Sequence, residues 1–120
     1  MKIAIMESLA VPAQKLAELK KPFEEAGHTF AEYERTTDVP TLIRQAQDAD
    51  VMVIANMPMP AEVIRACDNL KFIDVAFTGV DHVGLDAAKE KGVAVSNASG
   101  YSNEAVAELV LGMGLSLSRN

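Results

Sequence analysis

Three stretches of the chain are apolar at nearly every consecutive position: Lys2-Ile3-Ala4-Ile5-Met6, Val51-Met52-Val53-Ile54-Ala55 and Phe72-Ile73-Asp74-Val75-Ala76-Phe77. A strand without a polar face has both faces covered, which marks an interior strand of a parallel sheet. Two other stretches are more polar. His28 to Glu34 alternates and predicts an edge strand, and Val93-Ala94-Val95-Ser96-Asn97 predicts a fifth strand at the opposite edge. Helical spacing fills the gaps. Pro12 can stand at a first helical position, with Leu16, Leu19 and Phe23 following until Gly27 stops the helix, and Pro22 is expected to split or kink it near its end. Thr37-Asp38-Val39-Pro40 opens a helix through Gln47, Pro60 opens one through Cys67, and Leu85 to Lys91 forms another that Gly92 ends. Lys89 and Lys91 suit the negative end of that helix dipole.

Strands alternating with helices through short connections predict an α/β fold with right-handed crossovers. Two polar strands at the edges and three apolar ones inside match the flavodoxin-like order 2-1-3-4-5, a five-stranded parallel sheet with helices on both faces. The last helix differs from the others. Ser102 caps it, it runs from Asn103 to Ser118, and Val106, Leu109, Val110, Leu111, Met113, Leu115 and Leu117 pass most of the way round it. Such a long apolar helix is expected to be buried on more than one side, with Gly112 and Gly114 permitting a close neighbour. Its apolar run from Leu109 to Leu117 is far shorter than the roughly 20 residues that span a bilayer, so no membrane partner is expected.

A chain of 120 residues fits one domain with a real core. The net charge of −6 and a pI near 4.8 exclude a nucleic-acid partner, which needs a basic face. The single Cys67 cannot form an internal disulfide, and the N-terminus carries no signal peptide, because Glu7 interrupts the first apolar run. These features predict a mature start and a reduced, cytoplasmic setting.

In a doubly wound sheet a site draws on the loops at the carboxyl ends of the strands: 7–12, 35–39, 56–60, 78–82 and 98–101. Gly79 lets backbone approach a ligand, and the successive N–H groups of Thr78, Gly79 and Val80 can form a small anion-binding concavity suited to a carboxylate. Equally, a lone glycine after a strand can serve only a tight turn. Asp81 is expected to bond turn amides, and His82, without an acidic partner, reads as a surface or packing histidine. Tyr101 either lines the pocket or anchors the last helix by packing. His28, His82 and Cys67 have no metal-ligand spacing, and neither G-x-G-x-x-G nor G-x-x-x-x-G-K-[ST] occurs. The strand ending at Ala55-Asn56 lacks the phosphoacceptor aspartate of a signalling receiver domain and the one ending at Asn97 lacks its lysine, and the loop after Met6-Glu7 is no flavin-phosphate cradle.

Phe77-Thr78-Gly79-Val80-Asp81-His82-Val83, Leu85 to Asn97 and Gly100-Tyr101-Ser102-Asn103-Glu104-Ala105-Val106-Ala107-Glu108 together resemble the NAD-dependent D-2-hydroxyacid dehydrogenases. The resemblance is specific from Phe77 onward and compatible with that family's first domain throughout. It implies that residues 1–101 are a substrate-binding lobe facing a separate Rossmann domain across a cleft, and that residues 102–120 are the helix crossing into that domain. It also implies that the amides of Thr78 and Gly79 bind a substrate carboxylate, with Asn56 and Tyr101 on loops bordering the same cleft. Two positions depart from the family pattern: Gly84 replaces a common acidic helix cap, and Leu109 a frequent histidine.

The family's dinucleotide motif and its catalytic arginine, glutamate and histidine would all follow Asn120. The chain by itself is therefore expected to have no cofactor site for NAD or NADP, to bind a small 2-hydroxy or 2-oxo acid weakly, and to lack dehydrogenase activity. A second expectation, from another class, is a self-associating module whose final helix folds back on the sheet or is exchanged in a homodimer.

Overall fold

A computed structural model describes residues 1–119. Its elements are β1 (Lys2–Ile5), α1 (Ala13–Glu25), β2 (Thr29–Glu32), α2 (Val39–Ala46), β3 (Val51–Ile54), α3 (Ala61–Ala66), β4 (Phe72–Val75), α4 (Leu85–Lys91), β5 (Ala94–Asn97) and α5 (Asn103–Arg119). The five strands form one parallel sheet in the order β2-β1-β3-β4-β5. The apolar strands β1, β3 and β4 occupy the interior of the sheet, as their sequence pattern predicts, but only β1 is covered on both faces; β3 and β4 bury one face fully and the other by half.

Strand register sorts the side chains into two faces. Met52, Ile54, Ile73 and Val75 point to the face covered by α2, α3 and α4 and are fully buried with Leu42, Val63 and Ile64. Phe30, Ile3, Val51 and Phe72 form an in-register row on the opposite face. There α1 covers one end, with Phe23 packed edge-on against Phe30 at 6.2 Å, while Val51, Val53, Phe72 and Asp74 are only half-buried. The second face is thus partly covered by α1 over β2 and open over β3 and β4.

Several boundaries differ from the sequence expectation. Pro22 does not split α1, which runs through it as one helix of 13 residues, and its carbonyl still accepts from Ala26 N at 3.2 Å. Proline removes a donor but keeps its acceptor, so the helix can close one more turn beyond it. His28 and Val93 lie just outside β2 and β5, since Thr29 and Ala94 are the first residues to join the ladder. Asp38 caps α2 through its carboxylate, which accepts from Thr41 N at 3.0 Å. Gly92 ends α4 in the left-handed conformation at φ 69°, where a Cβ would be strained.

Helix α5 stands apart. Every residue from Asn103 to Arg119 is exposed, and the radius of gyration is 17.0 Å, against about 14 Å for a compact chain of this length. No described helix is long and apolar enough to cross a membrane. Asn120, the end of the expected crossing helix, lies outside the described residues.

Candidate functional site

The loop after β4 begins under tight control. Ala76 N donates to Ile54 O at 2.7 Å, and Ala98 N donates to both Val75 O and Phe77 O at 3.1 Å, locking the strand end between its neighbours. Asn97, the last residue of β5, donates its side-chain amide to Thr78 O at 2.6 Å. Val80 O accepts from Val83 N at 3.0 Å, and the Val80 side chain packs against the core. The carbonyls of Thr78 and Val80 are therefore engaged, whereas the N–H groups of Thr78, Gly79 and Val80 meet no acceptor among the described residues. Three successive amides without a protein acceptor are available to an anion.

Gly79 sharpens this point. It is not one of the glycines at positive φ, and a Cβ placed on it would meet nothing closer than Asp81 Oδ2 at 3.9 Å. Neither backbone conformation nor crowding within the fold requires glycine here. What a side chain would obstruct is the approach of something from outside. Asp81, expected to bond the turn amides, makes no hydrogen bond among the described residues.

Beside the turn, Phe77, Thr78, Tyr101, Ser102, Asn103 and Val106 line an open groove of about 620 Å³. Tyr101 is 70% exposed, so it borders this groove and does not anchor α5 by packing. His82 packs edge-on against Phe77 at 6.2 Å, and its Nε2 lies 2.8 Å from Ala55 O. A carbonyl only accepts, so Nε2 carries the proton and the ring ties this loop to the end of β3. Thr78 and Tyr101 are brought together, with Gly79 and Val80 following directly. Asn56 does not line that groove.

Asn56 belongs to a polar cluster that sequence reasoning missed. Glu7, only 3% exposed, accepts from Ala55 N at 2.8 Å and Met57 N at 2.7 Å through one oxygen, and pairs with Arg35 through the other. Arg35 also donates to Asn56 Oδ1 at 2.6 Å. The signal was available but weak: Glu7 closes an apolar strand, and Arg35 follows a strand that the 2-1-3 order places beside it. Elsewhere, Cys67 is buried and donates to Val63 O at 3.1 Å; burial pushes its thiol up to about 11, so it is a core residue. Among the described residues no group of three or more His, Cys, Asp or Glu is placed to hold a metal ion.

A dinucleotide fits these residues poorly. Its pyrophosphate would sit at the turn after β1, where a glycine-rich loop meets a helix N-terminus. That turn is Met6-Glu7-Ser8-Leu9-Ala10, without glycine, and its buried Glu7 carboxylate, paired with Arg35, leaves no net positive charge there for a phosphate.

Residues 3–114 match the family described as D-isomer specific 2-hydroxyacid dehydrogenase, catalytic domain. The chain is 37% identical over its whole length to a 2-hydroxyacid dehydrogenase described from Haemophilus influenzae, of which it spans 36%. It is 40% identical over 80 residues to the D-3-phosphoglycerate dehydrogenase of Methanocaldococcus jannaschii, an alignment covering 66% of this chain and 15% of that one. Its backbone superposes on the NAD⁺-bound 3-phosphoglycerate dehydrogenase of Entamoeba histolytica with a TM-score of 0.80, at 26% identity, over 96% of this chain and 38% of that one. The fold, the turn after β4 and these likenesses agree, and the chain belongs to the D-isomer specific 2-hydroxyacid dehydrogenase family, within its catalytic domain.

Proposed function

We propose that the turn Thr78-Gly79-Val80 holds the carboxylate of a small 2-hydroxy or 2-oxo acid, and that residues 1–101 are the substrate-binding lobe of an NAD- or NADP-linked dehydrogenase interconverting the two. The observation that carries this reading is the run of three unpaired amides at a glycine which the fold does not otherwise require. Asn56 and Tyr101 border the bound acid, and α5 leads toward the domain that supplies the nicotinamide. The nicotinamide exchanges hydride with the 2-carbon when bound. The residues of this chain bind and orient the acid, and their lack of a dinucleotide cradle gives the chain alone no turnover.

Thermal unfolding tests the reading by mass action. Oxalate or glycolate at ten times its dissociation constant should stabilise the chain by about 1.4 kcal/mol, a rise of several degrees in Tm. Chloride at matched ionic strength should give none, and equal shifts from all three anions would refute specific carboxylate binding.

A second reading concerns assembly, and the exposed apolar circumference of α5 favours it. Val110, Leu111 and Leu115 are each more than 60% exposed, surface that a second copy would cover in a homodimer through this helix. Light scattering across a concentration series should show a dimer; a monomer at every concentration rejects it.

A further inference from the structure

The cluster of Glu7, Arg35 and Asn56 at the carboxyl ends of β1, β2 and β3 is built more carefully than a surface contact. The buried Glu7 carboxylate clamps the backbone on both sides of Asn56, at Ala55 N and Met57 N. Its second oxygen holds Arg35, and Arg35 donates to Asn56 Oδ1 at 2.6 Å. An amide has one accepting and one donating end, and an arginine only donates. With Oδ1 engaged by Arg35, the orientation of the Asn56 amide is set, and its Nδ2 is left exposed and unpaired among the described residues. The loop that carries it is joined to the Thr78 loop by His82 Nε2 on Ala55 O at 2.8 Å and by Met59 N on His82 O at 2.8 Å.

We infer that Arg35, held by Glu7, is a positioning residue that presents Asn56 Nδ2 as a fixed donor to an uncharged oxygen of the bound acid outside its carboxylate. The charge of Arg35 is matched by Glu7, so the cluster suits a hydroxyl or carbonyl oxygen and not a distal phosphate. The inference rests on the carboxylate reading of Thr78 and Gly79.

Amide-resolved NMR titrations of the chain with D-glycerate and with propionate, which has the same carbon count and no oxygen beyond the carboxylate, test it. In the wild type, D-glycerate should bind about threefold to tenfold more tightly, the range of one hydrogen bond, and should shift the Asn56 side-chain NH2 pair. Arg35→Met should reduce that preference to near one while Thr78 and Gly79 still respond to both acids, and Arg35→Lys should restore part of it. Asn56→Ala, which leaves the Glu7–Arg35 pair in place, should show the same loss as Arg35→Met even if the latter folds poorly. D-3-phosphoglycerate should bind no more tightly than D-glycerate.

Full preference retained in a folded Arg35→Met, or in Asn56→Ala, overturns the inference. So does tighter, Arg35-dependent binding of D-3-phosphoglycerate, which would make Arg35 a phosphate contact. Silent Thr78 and Gly79 amides in the wild type overturn the carboxylate reading and this inference with it.

Discussion

Asn97 and Thr78 are joined by a bond of 2.6 Å from the side-chain amide of the first to the carbonyl of the second, which ties the end of β5 to the turn after β4. The bond engages the Thr78 carbonyl, while the amides of Thr78, Gly79 and Val80 have no acceptor among the described residues. Asn97→Ala should cost about 0.5–1.5 kcal/mol in urea unfolding and weaken oxalate binding. Asn97→Asp should be worse on both counts, because a carboxylate placed against a carbonyl sets two acceptors together.

Gly79→Ala separates fold from site. The position has no positive φ and open space around it, so alanine should leave stability unchanged or raise it by up to about 1 kcal/mol through the unfolded chain. Carboxylate affinity should fall roughly tenfold or more, in line with losing a hydrogen bond to a charged group. Calorimetric titration with oxalate, beside a melting curve, checks both.

Gly84→Ala should do the reverse. A Cβ at Gly84 would sit 2.7 Å from the Ala61 backbone, where α4 begins against α3, and backbone cannot swing aside as a side chain can. A loss of about 1–3 kcal/mol is expected from overpacking, read as a lower Tm with the oxalate response retained.

Asp74 lies on the open face of the sheet, and burial raises its carboxyl above the usual carboxylate range. Below its unfolded pKa the group is protonated in both states and contributes nothing. As pH rises toward the folded pKa, the unfolded chain gives up its proton first and the native state loses ground. Above the folded pKa the whole penalty remains. Asp74→Asn should therefore raise the urea midpoint at pH 7, with a gain that shrinks through the carboxylate range toward pH 3. A gain that is constant with pH would assign the effect to packing. Asp50, whose carboxylate is held low by Lys71 and then by Lys2 N, works in the opposite sense: its contribution is present at neutral pH and is lost on acidification.

The doubly apolar runs at residues 2–6, 51–55 and 72–77 made the interior of the sheet legible from sequence alone, although the pattern overstated the burial of β3 and β4, whose second face is only half covered. Strand ends were harder to read. His28 and Val93 continue the pattern of their segments without entering the ladder, and ladder bonds are a tertiary property. Pro22 suggested a break that the exposed last turn of α1 tolerates. At the site, Thr78, Gly79 and Tyr101 were visible through local motif, whereas the Glu7–Arg35–Asn56 cluster was not. Its members are far apart in the chain and meet only because β1 lies between β2 and β3. The function of Gly79 was also ambiguous until its backbone angle and surroundings removed the turn as a sufficient reason.

The most direct test of the carboxylate cradle is an amide-resolved NMR titration of the chain with oxalate. The backbone amides of Thr78, Gly79 and Val80 should move first and furthest, along one saturable curve, while the amides of α2 and α3 stay in place. Saturable binding that moves other residues and leaves these three amides unchanged would contradict the cradle.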